Sequence, residues 1–172
     1  MKTISLKQVT IIGTIFMIVS GSMLHFIYQL SGSNQIVALF SAVNESVWEH
    51  GKLFLLPLII VLSFEYLKIK NLEKILWIAL SQLVIMLSFT IVFFYTYTGA
   101  FGIENLFIDI LTFIVAVIIG QTFAYKQLIS KKKPPLNKYA SSIILIAILL
   151  AFAVITYFPP NLPIFTPHSM MD

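Results

Sequence analysis

Cysteine and arginine are both missing from this 172-residue sequence. Without cysteine there is no disulfide, no thiolate metal site and no thiol nucleophile. Without arginine there is no bidentate guanidinium clamp for phosphate or carboxylate, and all eleven basic residues are lysines acting as point charges. Charge of either sign is scarce. Only 10% of the residues are charged, whereas a soluble domain carries about a quarter. The G-x-S-x-G elbow, phosphate-binding glycine loops and the H-E-x-x-H and E-x-x-H metal spacings are absent too, so no standard catalytic signature is available.

What fills the space is apolar: 59% of the residues are hydrophobic. Several runs approach or exceed the ~20 residues that cross a hydrocarbon core, which predicts an all-α integral membrane protein with no separate soluble domain. Five spans are expected, at about 9–30, 47–67, 75–98, 106–125 and 139–158, with Pro159 and Pro160 ending the last. The first is too long for a signal-peptide core and reads as a retained span. Ten of the eleven lysines fall at its start, in the 68–74 turn or in the 126–138 loop. The positive-inside rule then sets the N-terminus in, the C-terminus out, and the bilayer as the main partner. This placement accounts for the net charge of +4 without a nucleic-acid partner. A bacterial cytoplasmic (inner) membrane is the expected location.

Lys52 is the single lysine on the other side. It lies near a helix start, where the macrodipole disfavours a cation, so it calls for a carboxylate partner, Glu49 or Glu45. It belongs to "NESVWEHGK", residues 44–52, which follows a stretch with helical spacing of Ile36, Leu39, Phe40, Val43 and Val47. That stretch predicts a short interfacial or re-entrant helix after the Ser31–Asn34 turn. Ser46-Val47-Trp48-Glu49 fits a capping box, in which Ser46 caps the second span and Glu49 reaches back to its backbone. Trp48 fits the interfacial belt, and Pro57 is expected to kink the span.

Depth then groups the polar residues. His25 lies ~7–8 Å inside the outer end of the first span and Asp109 ~5 Å inside that of the fourth. Tyr95 and Tyr97 close the third, and Glu65 and Glu73 are the only acids near the cytoplasmic lysines. Ionisable groups within spans usually face the bundle interior or a wet cavity. The expectation is an outward-facing polar pocket drawn from His25, Asn44, Glu45, Glu49, His50, Lys52, Tyr95 and Asp109. Of these, His25, Glu45, His50 and Asp109 suit a divalent metal. The pocket predicts binding of a small solute, ion or lipid headgroup, alone or as a transporter's substrate-binding subunit. The alternatives are a metal-dependent lipid hydrolase or transferase and a structural accessory subunit of a membrane complex. The tail "PPNLPIFTPH", residues 159–168, is expected to be extracytoplasmic, with Leu162, Ile164 and Phe165 able to fold over the pocket.

"LHFIYQLSGSNQIVALFSAVNESVWEHGK", "FFYTYTG" and "YFPPNLPIF" together resemble a small family of bacterial multi-pass membrane proteins known as a domain of unknown function. The resemblance spans the chain and implies that His25, Asn44, Glu45, Trp48, Glu49, His50, Pro159 and Pro160 belong to the family pattern. Members often carry an acid before the last proline of the tail, where this chain has Thr166. In dimensions alone the chain is similar to the substrate-capture subunits of energy-coupling vitamin transporters.

Overall fold

A computed structural model describes residues 5–167, and the described chain is helical. Helix α1 spans Leu6–Leu30 and opens on a capping box between Ser5 and Gln8. A short α2, Val47–Gly51, runs through a 3₁₀ turn, Lys52–Phe54, into α3, Leu55–Ile69. Helices α4, Leu72–Phe101, α5, Leu106–Ile129, and α6, Lys138–Tyr157, follow. The starts of α4, α5 and α6 are each capped by an asparagine: Asn71, Asn105 and Asn137 accept backbone N–H bonds from the first turn. Gly102, at φ 64°, ends α4 in the left-handed conformation that glycine adopts without strain.

Four helices, α1, α4, α5 and α6, are long and apolar enough to cross a membrane. Their exposed faces carry Ile12, Phe16, Met23, Ile143 and Leu150, the surface expected of helices solvated by lipid tails. The expected second span is instead a broken element of three pieces, α2, the 3₁₀ turn and α3. The physical reason is Pro57, whose missing N–H cannot bond the Leu53 carbonyl, so the helix is interrupted one turn earlier rather than merely bent. The interfacial helix expected over 36–47 is reduced to one 3₁₀ turn, Val37–Leu39, among bends. Ser41 and the Asn44 side chain take up backbone groups there instead of a regular helix.

The main core joins α1, α3, α4, α5 and α6 through Met17, Phe54, Leu58, Val61, Ile78, Leu83, Met86, Val117 and Phe152. At the lysine-bearing end, the Lys74 ammonium donates to the carbonyls of Leu128 and Ser130, at 2.9 and 2.6 Å, and so ties the start of α4 to the end of α5. The histidines of the described chain lie toward the opposite end. After α6 the tail turns back: the Phe165 ring meets Trp48 edge-on at 5.3 Å, and Ile164 packs on Val47, Phe94 and Tyr97. His168 lies outside the described residues.

Candidate functional site

The segment from Ser41 to Lys52 is fixed by polar contacts at nearly every step. The Ser41 hydroxyl donates to the Leu24 carbonyl and accepts from the Tyr28 N–H, two groups that pair with each other in an unbroken helix. This anchors the loop to α1 on either side of His25. Asn44 accepts from the Ser46 N–H at 2.9 Å, an Asx turn, and Ser46 accepts from the Glu49 N–H at 3.3 Å to cap α2. The expected capping box is therefore only half formed. Glu49 does not return to the Ser46 backbone, because its carboxylate is engaged elsewhere.

Glu49 and Lys52 are a buried ion pair at 2.5 Å, with side chains 4% and 0% exposed. Glu49 also accepts from the Val43 N–H at 3.0 Å, and Lys52 donates to the Ala38 carbonyl at 2.6 Å and to the Thr156 hydroxyl at 2.9 Å. The Thr156 hydroxyl has the other Glu49 oxygen within 3.1 Å. Two charges taken out of water need such complete satisfaction, since an unpaired buried ion is strongly destabilising. The misplaced lysine is thus a structural group, and the pair locks the 38–43 loop and the end of α6 to α2. Trp48 stacks on Phe152 at 4.3 Å and meets the Phe165 ring edge-on at 5.3 Å.

His25, Glu45 and His50 converge. His25 Nε2 lies 3.1 Å from His50 Nε2, and Glu45 Oε2 lies 3.4 and 3.5 Å from those two nitrogens. His50 Nδ1 is 2.8 Å from the Ser46 carbonyl, so it carries a proton and donates; in the neutral ring Nε2 then keeps its lone pair toward the cluster. The two imidazoles are about three-quarters buried and Glu45 is 57% exposed, so the group opens to solvent on the carboxylate side. The His50 ring beside Glu45 holds its carboxyl below the usual carboxylate range.

These separations have a geometric meaning. Zinc–nitrogen and zinc–oxygen bonds of about 2.0–2.2 Å in a tetrahedron set ligand–ligand edges of roughly 3.3–3.6 Å. The three donor atoms span 3.1–3.5 Å, one triangular face of such a tetrahedron. The Nδ1–H bond from His50 to a backbone carbonyl is also the outer contact that orients metal-binding histidines.

Asp109 is not one of these donors. Its Oδ1 accepts the Tyr97 hydroxyl at 2.5 Å. Tyr97 is buried on α4, and Tyr95, the tyrosine expected in the pocket, is set edge-on against Phe94. Both tyrosines are legible as an outer-end pair, but only the rotation of α4 about its axis separates them. Asn44, Glu49 and Lys52 serve the local architecture and not the cluster itself.

A bundle with four apolar membrane-length helices and a convergent polar cluster at one end belongs to the class of helical membrane proteins. Residues 1–170 match the family described as a family of unknown function, DUF6512, and the chain belongs to that family. No curated protein and no solved structure matches the chain.

Proposed function

We propose that this protein binds a divalent transition metal of the zinc class through His25, Glu45 and His50 on the extracytoplasmic face of a bacterial cytoplasmic membrane. The observation that carries the reading is the 3.1–3.5 Å triangle of one carboxylate oxygen and two imidazole nitrogens. Orientation follows from the lysines: Lys7, Lys68, Lys70, Lys74 and the 126–138 group gather at the end opposite the cluster, which the positive-inside rule assigns to the cytoplasm. The ion arm of the pocket expectation is preferred to a phospholipid headgroup because, among the described residues, the outer end has no lysine to spare. Its one lysine is buried against Glu49, and a phosphate would meet Glu45 and Asp109 instead. Binding is preferred to conduction because Lys52 and an apolar layer of Phe54, Met17 and Met86 lie inward of the cluster.

A second reading rests on the ligand count. Three protein donors leave a fourth tetrahedral position open on the solvent side, the arrangement of catalytic zinc with two histidines and a glutamate. A water there would be acidified by the metal and would serve an intramembrane hydrolase or transferase acting on a lipid.

Metal content of the purified full-length protein tests the first reading. Stoichiometric zinc, manganese or iron in wild type, and its loss in His25→Ala and His50→Ala, is the expected result. Wild-type protein that takes up no metal when offered zinc leaves only a histidine–histidine hydrogen bond and overturns it. Ester or phosphoester turnover that requires the metal and disappears in Glu45→Gln would support the second.

A further inference from the structure

A groove of about 330 Å³ runs along the bundle between α3, α4 and α6. Ile75, Ala79 and Leu83 of α4 form its buried base, and the small side chain of Ala79 leaves it deep. Its rims carry Ile59 and Ser63 on α3 and Leu149 on α6, all exposed. No lining residue is charged, and the Ser63 hydroxyl is spent on the Ile59 carbonyl at 2.7 Å. Tyr66, at the lysine-bearing end, is the only other polar side chain there, so a water inside lacks the two to four partners it needs.

The groove has the dimensions of one leaflet. On α4 it extends from Leu72, the first residue of the helix, to Leu83, ~16 Å further along at 1.5 Å per residue. Half of the hydrocarbon core is ~15 Å, so the groove matches an acyl chain of the lysine-side leaflet in length and level. Left empty beside lipid, it forfeits dispersion contacts along three helices, and an acyl chain restores them.

Two lysines stand at the open end. Lys138 precedes Leu145 by seven residues, two turns along the same face of α6, and its ammonium lies over the exposed Tyr139 ring at 4.9 Å. Lys70 ends α3 four residues after Tyr66, whose carbonyl accepts the Lys70 N–H at 2.7 Å. The neighbouring charges are placed elsewhere. Lys74 is taken up by the Leu128 and Ser130 carbonyls, and Lys68, two residues from Tyr66, falls on the far side of α3. Glu73, the only acid of the 68–74 turn, is one residue off the face of α4 that lines the groove. Lys70 also holds the left-handed conformation, φ 51°, at a helix end where glycine sits without strain. A lysine in that position supplies a side chain that the turn itself does not require.

We infer that the groove holds one acyl chain of an anionic phospholipid from the cytoplasmic leaflet, with the lipid phosphate at Lys70 and Lys138. Each lysine beside the phosphate is expected to contribute about fivefold to the preference for an anionic over a zwitterionic lipid. The experiment is native mass spectrometry of the purified, delipidated full-length protein offered phosphatidylglycerol or phosphatidylcholine with the same acyl chains, and melting temperature is read in parallel. Wild type is expected to hold one phosphatidylglycerol at lower lipid concentration than phosphatidylcholine, and to melt higher with it. Lys70→Gly relieves the left-handed residue, so without lipid it is expected to melt no lower than wild type, yet to lose about fivefold of the preference. Ser63→Phe, which sets a ring in the groove from an exposed rim, is expected to lose the bound phosphatidylglycerol. Equal retention of the two lipids by wild type means unselective surface lipid and overturns the proposal, as does wild-type retention by Ser63→Phe. A lipid-free dimer means that a second copy fills the groove, and overturns it too. If Ser63→Phe does not fold, Lys70→Gly decides: an unchanged preference there overturns the site.

Discussion

Glu49 and Lys52 meet at 2.5 Å inside the bundle, and between them stands His50. The pair fixes the backbone on both sides of the histidine: Glu49 through the Val43 N–H, Lys52 through the Ala38 carbonyl and Thr156. Two of the three converging donors, Glu45 and His50, therefore lie on backbone held by a charge pair that is not itself among them.

Removing one member of that pair leaves the other buried and uncompensated. Lys52→Met is expected to cost about 3–5 kcal/mol, read as a large fall in melting temperature in detergent. The double variant Glu49→Leu, Lys52→Met is expected to lie closer to wild type than Lys52→Met alone. A double variant less stable than the single one would mean that the charges do not compensate each other.

Gly21 lets α1 approach the 3₁₀ turn. A Cβ there would overlap the Phe113 ring and sit 3.1 Å from the Leu53 carbonyl. Gly21→Ala is expected to cost about 1–3 kcal/mol through overpacking. It is also expected to weaken metal binding, because His25 lies one turn further along α1 and moves away from His50. Unchanged metal affinity in this variant would separate α1 packing from the cluster.

Tyr97→Phe keeps the ring in its apolar setting and removes the hydroxyl that Asp109 accepts at 2.5 Å. A loss of about 1.5–3 kcal/mol is expected for a hydrogen bond to a charged group. Metal stoichiometry is expected to remain at the wild-type value in this variant and in Asp109→Asn. Loss of the metal in Asp109→Asn would return that carboxylate to the ligand set.

The absence of native cysteine makes orientation directly measurable by single-cysteine labelling. Ser33→Cys is expected to react with a membrane-impermeant maleimide on intact spheroplasts, and Lys132→Cys only after permeabilisation. The reverse pattern would put the histidine cluster in the cytoplasm.

Much of the helical framework is written in apolar runs and lysine positions, because hydrophobic length and loop charge are one-dimensional signals. The need of Lys52 for a carboxylate is equally legible, since Glu49 is one turn away. What a linear reading lacks is rotation about each helix axis. His25 and Asp109 have similar depths, yet only His25 turns toward His50, while Asp109 turns toward Tyr97. Glu65 reads as a cytoplasmic-end acid near lysines because its spacing says nothing of the face it occupies, and that face is fully buried. The broken second span is half-legible: Pro57 signals a disturbance, but spacing alone does not say that the helix divides into three pieces one turn earlier rather than bending.

X-ray absorption at the zinc edge, on full-length protein loaded with one equivalent of zinc, tests the His25–Glu45–His50 assignment most directly. The expected first shell holds two imidazole nitrogens, one carboxylate oxygen and one further light atom at about 2.0–2.2 Å, with imidazole scattering lost in the His25→Ala, His50→Ala double variant. Zinc that washes away from wild type, or a shell unchanged in the double variant, would contradict it.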